Sequence, residues 1–272
     1  MTSSLDAALS GLLEQQRSLE LIANNLANVN TTGYKRAQVH FQDVLDTAQI
    51  LAALRGELPP ADASTSAGVQ SSTLRRTFTQ GPITPTQREL DFAIEGDGFF
   101  RLALPDGSFG YTRDGTLQLG ADGRVTSAHG YPLEPPITLP PVYRDLRVES
   151  DGSITVRRPL TEAELAGLRP DQPRDGVREN VGTLQLVRFA NTDGLSALGE
   201  NLFAETAESQ APIEGQPGID GMGFVRSGFL EASNVDVAEE MTAMTLASRS
   251  YQLNLTAYRT IDEMLRAAGQ LP

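Results

Sequence analysis

The sequence predicts an α+β protein, with paired long N- and C-terminal helices, coiled-coil-like, and a central all-β domain of short antiparallel strands. Two observations carry this expectation. Apolar residues recur at heptad spacing over the first thirty and the last forty residues, but not between them. In the middle, Asp-Gly pairs recur, the first four at spacings of 9, 8 and 8 residues, the punctuation of hairpins. The division that follows is 1–45 with 228–272 as a terminal helical assembly domain, 46–75 as a connector, and 76–227 as the β-rich domain.

The first helix rests on Leu5, Leu9, Leu12, Gln16, Leu19, Ala23 and Leu26, which step alternately by four and three. Ser3 followed by Asp6 is a capping pair at its start. It is predicted over residues 4–28, about 38 Å long, and should stop between Asn28 and Thr32, ahead of Gly33. The last helix rests on Val237, Met241, Met244, Ser248, Tyr251, Leu255, Tyr258, Asp262 and Leu265, with the same alternation. A second apolar line, Leu246, Leu253, Ile261 and Met264, flanks it, so this helix should touch more than one partner. Asp236 and Glu239 read as an N-cap pair, Arg266 suits the negative end of the helix dipole, and Gly269 is the stop. Heptads of this kind usually mark the core of one domain. Here they lie at opposite chain ends, which favours a terminal pair that packs together apart from the middle. Two helices make a thin core, so further copies of the chain are expected to cover the second line.

The middle is punctuated by Asp97-Gly98, Asp106-Gly107, Asp114-Gly115, Asp122-Gly123 and Asp151-Gly152, with Asp193-Gly194 and Asp220-Gly221 beyond. Both residue types tolerate positive φ, which tight hairpin turns require. Strands are expected at 99–104, 110–112, 116–119, 124–126, 153–156 and 182–189. Pro135, Pro136, Pro140 and Pro141 bracket a short edge segment. Residues 58–72, with Pro59, Pro60, Gly68 and many Ser, Thr and Ala, read as an extended or flexible connector. Residues 161–168 suit a short helix and 170–178 a charged loop. The Asp-Gly pairs are not a calcium repeat, because the residues between them do not recur.

Composition narrows the function. The net charge of −13 does not point to nucleic acid or to an anionic membrane. No cysteine is present, which removes disulfides, thiolate metal sites and a thiol nucleophile together. His40 and His129 are expected to be isolated rather than metal ligands. No apolar run approaches the ~20 residues of a membrane span, and residues 1–28 carry too many charges for a cleaved signal peptide. Nucleophile-elbow, phosphate-loop, dinucleotide and zinc-protease motifs are all missing. Glu95 and Asp97 flank Gly96 and read better as a turn than as an acid/base pair. The expectation is therefore no enzyme, no catalytic residue, no cofactor and no metal.

Three stretches resemble one family. Ile22-Ala23-Asn24-Asn25-Leu26-Ala27-Asn28-Val29-Asn30-Thr31-Thr32-Gly33-Tyr34-Lys35 is similar to the N-terminal signature of bacterial flagellar basal-body rod and hook proteins. Residues 228–241, from Gly228 to Met241, resemble its C-terminal signature, and residues 90–100 and 111–115 its shared β-domain. Residues 191–195, 198–203 and 205–206 resemble the distal-rod branch most closely. The connector 46–75 departs from that branch, which leaves a proximal rod protein or an unassigned rod paralogue open. The resemblance implies a structural subunit, exported through the flagellar type III apparatus and assembled with itself as a helical homopolymer. It also implies contact with other rod and hook subunits, location in the flagellar basal body, and no nucleic acid or membrane insertion. The implied assembly interface comprises Leu5, Leu9, Leu12, Leu19, Leu26, Val237, Met241, Met244, Tyr251, Leu255, Tyr258 and Leu265. Asn24, Asn25 and Asn28 are candidates for polar contacts between helices that set register, or alternatively for solvated caps near a helix end. Two other classes remain: a monomeric β-domain adhesin with helical stalks, and a hydrolase built on Glu95 and Asp97.

Overall fold

The computed structural model describes residues 2–43, 69–149, 151–160 and 176–269. The chain divides into two compact units. The first comprises residues 1–29, 36–77 and 235–272, and the second residues 30–35 and 78–234.

The first unit holds two helices, α1 (Thr2–Ala27) and α2 (Val237–Gly269), and a hairpin of β1 (Ala37–Asp43) and β2 (Val69–Arg76). Asp236 caps α2: its Oδ1 accepts the backbone N–H of Ala238 at 2.8 Å and of Glu239 at 3.3 Å. These are donors that the helix itself leaves unpaired. The strands β1 and β2 pair antiparallel from Ala37 opposite Arg76 to Asp43 opposite Val69, with an irregularity at His40/Phe41. Residues 69–75, assigned above to the connector, are therefore strand. The rest of that connector, and the segments 161–168 and 170–175, lie outside the described residues.

The second unit is β throughout its described length, apart from one short turn of helix at 192–194. A five-stranded antiparallel sheet runs in the order β14 (Ser196–Gly199), β15 (Leu202–Ala204), β6 (Phe109–Thr112), β5 (Phe100–Ala103) and β9 (Leu133–Glu134). A three-stranded sheet joins β10 (Arg144–Val148), β11 (Ser153–Arg158) and β12 (Val177–Thr183). Short pairs complete the unit. They are β3 (Ile83–Pro85) with β18 (Phe229–Glu231), β4 (Phe92–Glu95) with β17 (Phe224–Ser227), β7 (Leu117–Leu119) with β8 (Val125–Ser127), and β13 (Leu186–Arg188) with β16 (Ile213–Gly215). The single strand expected at 182–189 is thus two strands, the end of β12 and β13, in different sheets.

Two apolar clusters hold the unit. The larger packs Phe92, Ile94, Phe100, Leu102, Leu117, Leu133, Ile154 and Val156 with residues from most strands. The smaller is aromatic, with Phe78, Phe99, Tyr111, Phe189 and Phe203 meeting edge to face at centroid distances of 4.8–6.2 Å. The Asp-Gly turns divide into two geometries. At Asp220-Gly221 both residues have positive φ, 52° and 77°, as expected. At Asp106-Gly107, Asp122-Gly123 and Asp151-Gly152 only the glycine has positive φ. The aspartate instead accepts the N–H two residues on, as Asp106 does from Ser108 and Asp151 from Ser153, each at 3.0 Å. Gly115 is a case of close approach: a Cβ there would lie 1.6 Å from the Phe92 carbonyl oxygen.

Candidate assembly surface

In the first unit α1 and α2 pack against each other. The line by which they do so differs from the leucine heptads. On α1 the inward residues are Gly11, Glu14, Ser18, Ile22 and Asn25, of which Glu14, Ile22 and Asn25 are buried. On α2 they are Glu240, Ala247, Asn254 and Ile261, seven apart, with Glu240 and Ala247 buried. A Cβ on Gly11 would lie 3.5 Å from Asn254 Nδ2, while Asn25 Nδ2 donates to Glu240 Oε2 at 3.3 Å. The helices are therefore antiparallel, and their seam is made mainly of small and polar side chains.

A polar lock closes one end of this seam. Asn25 uses its amide like a strand residue: Oδ1 accepts the Ala37 N–H at 3.0 Å and Nδ2 donates to the Ala37 carbonyl at 2.9 Å. Arg36 reaches α2, with Nη1 2.9 Å from Glu239 Oε2 and Nε 2.5 Å from Glu240 Oε1. Of the three asparagines singled out above, Asn25 makes the contact between helices. Asn28 donates to the Asn24 carbonyl at 2.9 Å within α1, and Asn24 is exposed.

The large apolar residues of the heptads lie elsewhere. Leu9, Val237, Met241 and Met244 are exposed, and Leu12, Leu19, Leu26, Tyr251, Leu255 and Tyr258 are half-buried. The side chains of Leu5 and Leu265 lie outside the described residues. Of the expected second line, Leu246 is 58%, Leu253 71% and Met264 59% exposed, whereas Ile261 departs from it, being half-buried on the inward line. At 3.6 residues per turn, the Leu246–Leu253–Met264 line and the Val237–Met241–Met244 line sit about a quarter turn to either side of the α2 seam. Leu13 on α1 is also exposed. No helix among the described residues is long and apolar enough to cross a membrane.

The second unit carries a buried ionic site at its strap, residues 30–35. Lys35 Nζ donates to Glu231 Oε1 at 2.6 Å and to the Thr79 carbonyl at 2.8 Å. Glu231 Oε1 also accepts the Gly81 N–H at 2.9 Å, and Oε2 lies 3.4 Å from Arg113 Nη1. All three ionic side chains are shut away from water. Burial pushes the Lys35 ammonium and the Arg113 guanidinium below their ordinary values, and Glu231 pulls both back up. Thr32 donates to Asp114 at 2.8 Å, and the Gly33 N–H to the Glu231 carbonyl at 2.8 Å. Gly33 is thus no helix stop, since α1 ends at Ala27. It has φ 67°, and a Cβ would lie 2.5 Å from the Asp114 nitrogen.

These locks fall on the two terminal signatures, and the comparisons with known proteins fall there too. Three sequence-family profiles match: "Flagella basal body rod protein" over residues 5–35, "Flagellar hook protein FlgE/F/G D1 domain" over 93–156, and "Flagellar basal body rod FlgEFG protein C-terminal" over 226–271. Flagellar basal-body rod protein FlgG of Borreliella burgdorferi is 38% identical over 100% of this chain and 99% of its own length. The chain belongs to the flagellar basal-body rod protein family. FlgG of Bacillus subtilis is 34% identical over 98% of this chain and 97% of its own, and FlgF of Salmonella typhimurium 33% over 97% and 94%. Asn25, Lys35, Glu231, Glu239 and Glu240 all lie inside the stretches quoted above for the family resemblance, and Arg36 adjoins one. Sequence reading missed Glu240, Arg36 and the inward line of α1. The seven-residue recurrence of Gly11, Ser18 and Asn25 was the signal, hidden by the bulkier leucines beside it.

Of the two carboxylates considered for hydrolysis, Glu95 is engaged elsewhere: its Oε2 lies 2.7 Å from Arg226 Nε. No group of His, Cys, Asp or Glu able to hold a metal occurs among the described residues.

Proposed function

We propose that this chain is a structural subunit of the bacterial flagellar basal-body rod, of the distal type, which polymerises with itself into a helical tube beside other rod and hook subunits. Family membership over the whole chain supports the basal-body location and the structural role. One observation carries the polymer reading: α2 keeps Leu246, Leu253 and Met264 in solvent after its seam with α1 is closed. A patch of this kind on a long helix marks a protein contact. In the assembled rod, helices of neighbouring subunits cover both exposed lines of α2 in coiled-coil-like packing, with Leu9, Leu12, Leu19, Leu26, Tyr251, Leu255 and Tyr258 completing the interface. Export through the flagellar type III apparatus precedes this step.

The test is to delete the gene in its flagellated host and image the basal bodies that remain. A distal subunit predicts a truncated rod without a hook, restored by the wild-type chain and not by Leu253→Asp. Hooks of normal length in the deletion strain would refute the assignment.

A further inference from the structure

The outer face of the three-stranded sheet carries a row of arginines. Arg144 stands opposite Arg157 across β10 and β11, and Arg157 opposite Arg178 across β11 and β12. The irregularity between Arg144 and Arg147, where Asp145 has φ 53°, brings Arg147 opposite Thr155 on the same face. Like charges placed directly opposite one another weaken a sheet. Within the sheet one carboxylate answers them: Asp145 lies 3.2 Å from Arg147 Nε and 3.7 Å from Arg157 Nη2. Arg144 and Arg178 are exposed and have no ion-pair or hydrogen-bond partner among the described residues. This is a cationic strip on a chain of net charge −13.

The same unit has an opposite pole. Residues 189–225 contain no Lys or Arg and six carboxylates. Three of them, Asp193, Glu205 and Glu208, are exposed on two loops that are tied together. Thr206 Oγ1 donates to the Gly194 carbonyl at 2.6 Å, and Asn191 Nδ2 to the Glu208 carbonyl at 3.1 Å.

We propose that the arginine strip of one copy docks on the 193–208 carboxylates of the next copy. This rests on the reading of the chain as a self-assembling rod subunit and names a second contact, outside the helices. Copies of a chain this acidic repel one another, and a contact of opposite signs offsets that repulsion at short range. Two complementary patches at different places on one molecule form a heterologous contact. Repeated without closing into a ring, such a contact builds an open helical array rather than a two-fold dimer. The strip lies on the three-stranded sheet, and the acidic loops flank β14 and β15 of the five-stranded sheet, so the two patches are different places on one β unit.

The experiment is a charge swap in the full-length chain, read by the yield of rods in cells and by the melting temperature of the purified protein. Arg144→Glu with Arg178→Glu should lower rod yield by about tenfold or more at unchanged melting temperature, and Asp193→Arg with Glu208→Arg should lower the yield by as much. The chain carrying all four substitutions should recover the yield, an outcome that misfolding cannot produce. The proposal is overturned if either pair assembles normally, or if the four-fold variant fails to recover. It is also overturned if the arginine pair lowers the monomer's melting temperature, because the strip is then neutralised by its own chain. A wild-type chain that builds no rod refutes the functional reading itself, whereas normal wild-type rods with unaffected variants refute only this contact.

Discussion

Glu231→Gln probes the buried ionic site most directly. Glutamine keeps the size of the side chain and an acceptor for the Gly81 N–H, but removes the charge that Lys35 and Arg113 face at 2.6 and 3.4 Å. Both cations then stay buried without a counter-ion, since their side chains are 0% and 3% exposed. Removing one partner of such a site costs about 3–5 kcal/mol. For a unit of this size that is a fall of roughly 6–20 °C in melting temperature. The pH dependence fixes the cause. Burial already lowers the Lys35 ammonium below its ordinary value, and loss of Glu231 lowers it further. Between the folded and unfolded values the unfolded chain then binds more protons, so the variant gains stability as pH rises. Its deficit against wild type should be greatest near neutrality and shrink toward pH ~10. Lys35 is also the chain's only lysine, so an amine-reactive reagent with mass spectrometry reads this site without background from other side chains. Lys35 should resist modification in the wild type and react in the variant. A deficit below about 1 kcal/mol, or one that widens with pH, would refute a charge-compensation role.

Three other outcomes follow from the structure. Leu253→Asp should abolish tube formation at unchanged monomer melting temperature, because the side chain already faces solvent; a lowered melting temperature would place it in the subunit's own core. Tyr111 should titrate late, since burial pushes its phenol up to about 12. Its share of the stability is full below the ordinary value of 10 and is lost as pH rises through 12, which an ultraviolet pH titration of wild type and Tyr111→Phe checks. Gly33→Ala should destabilise the β unit by more than about 1 kcal/mol in denaturant unfolding, since φ is 67° and the Asp114 backbone leaves no room; an unchanged midpoint would disprove the steric claim.

The two long helices were legible because heptad spacing and caps act locally, and Asp236 caps α2 as its position suggested. The β-rich middle was legible from its turns. Strand partners were not, because β3 pairs with β18 and β4 with β17, across more than a hundred residues, and nothing local encodes that. The apolar heptad does not by itself name its neighbour. It reports which residues avoid water, not whether a sister helix or another copy of the chain covers them. Glycine after a helix usually marks its stop, whereas Gly33 lets the strap lie against the Arg113–Asp114 backbone.

The division of labour between the two kinds of seam follows from their chemistry. Small residues such as Gly11, Ser18 and Ala247 let α1 and α2 approach closely, and Asn25 with Glu240 fixes their register. Such a seam specifies more than it stabilises, because a net hydrogen bond contributes only about 1 kcal/mol. The large side chains that stabilise helices by burial are held outside it. Covering Leu246, Leu253 and Met264 at their observed exposures contributes on the order of 1–2 kcal/mol each. That is small for a pair of subunits, which must also offset the lost freedom of association. In the tube proposed above, where each subunit would have several such neighbours, the sum becomes large. A subunit built this way associates weakly as a pair and strongly as a lattice, so its helices reserve their main stabilisation for the assembled state.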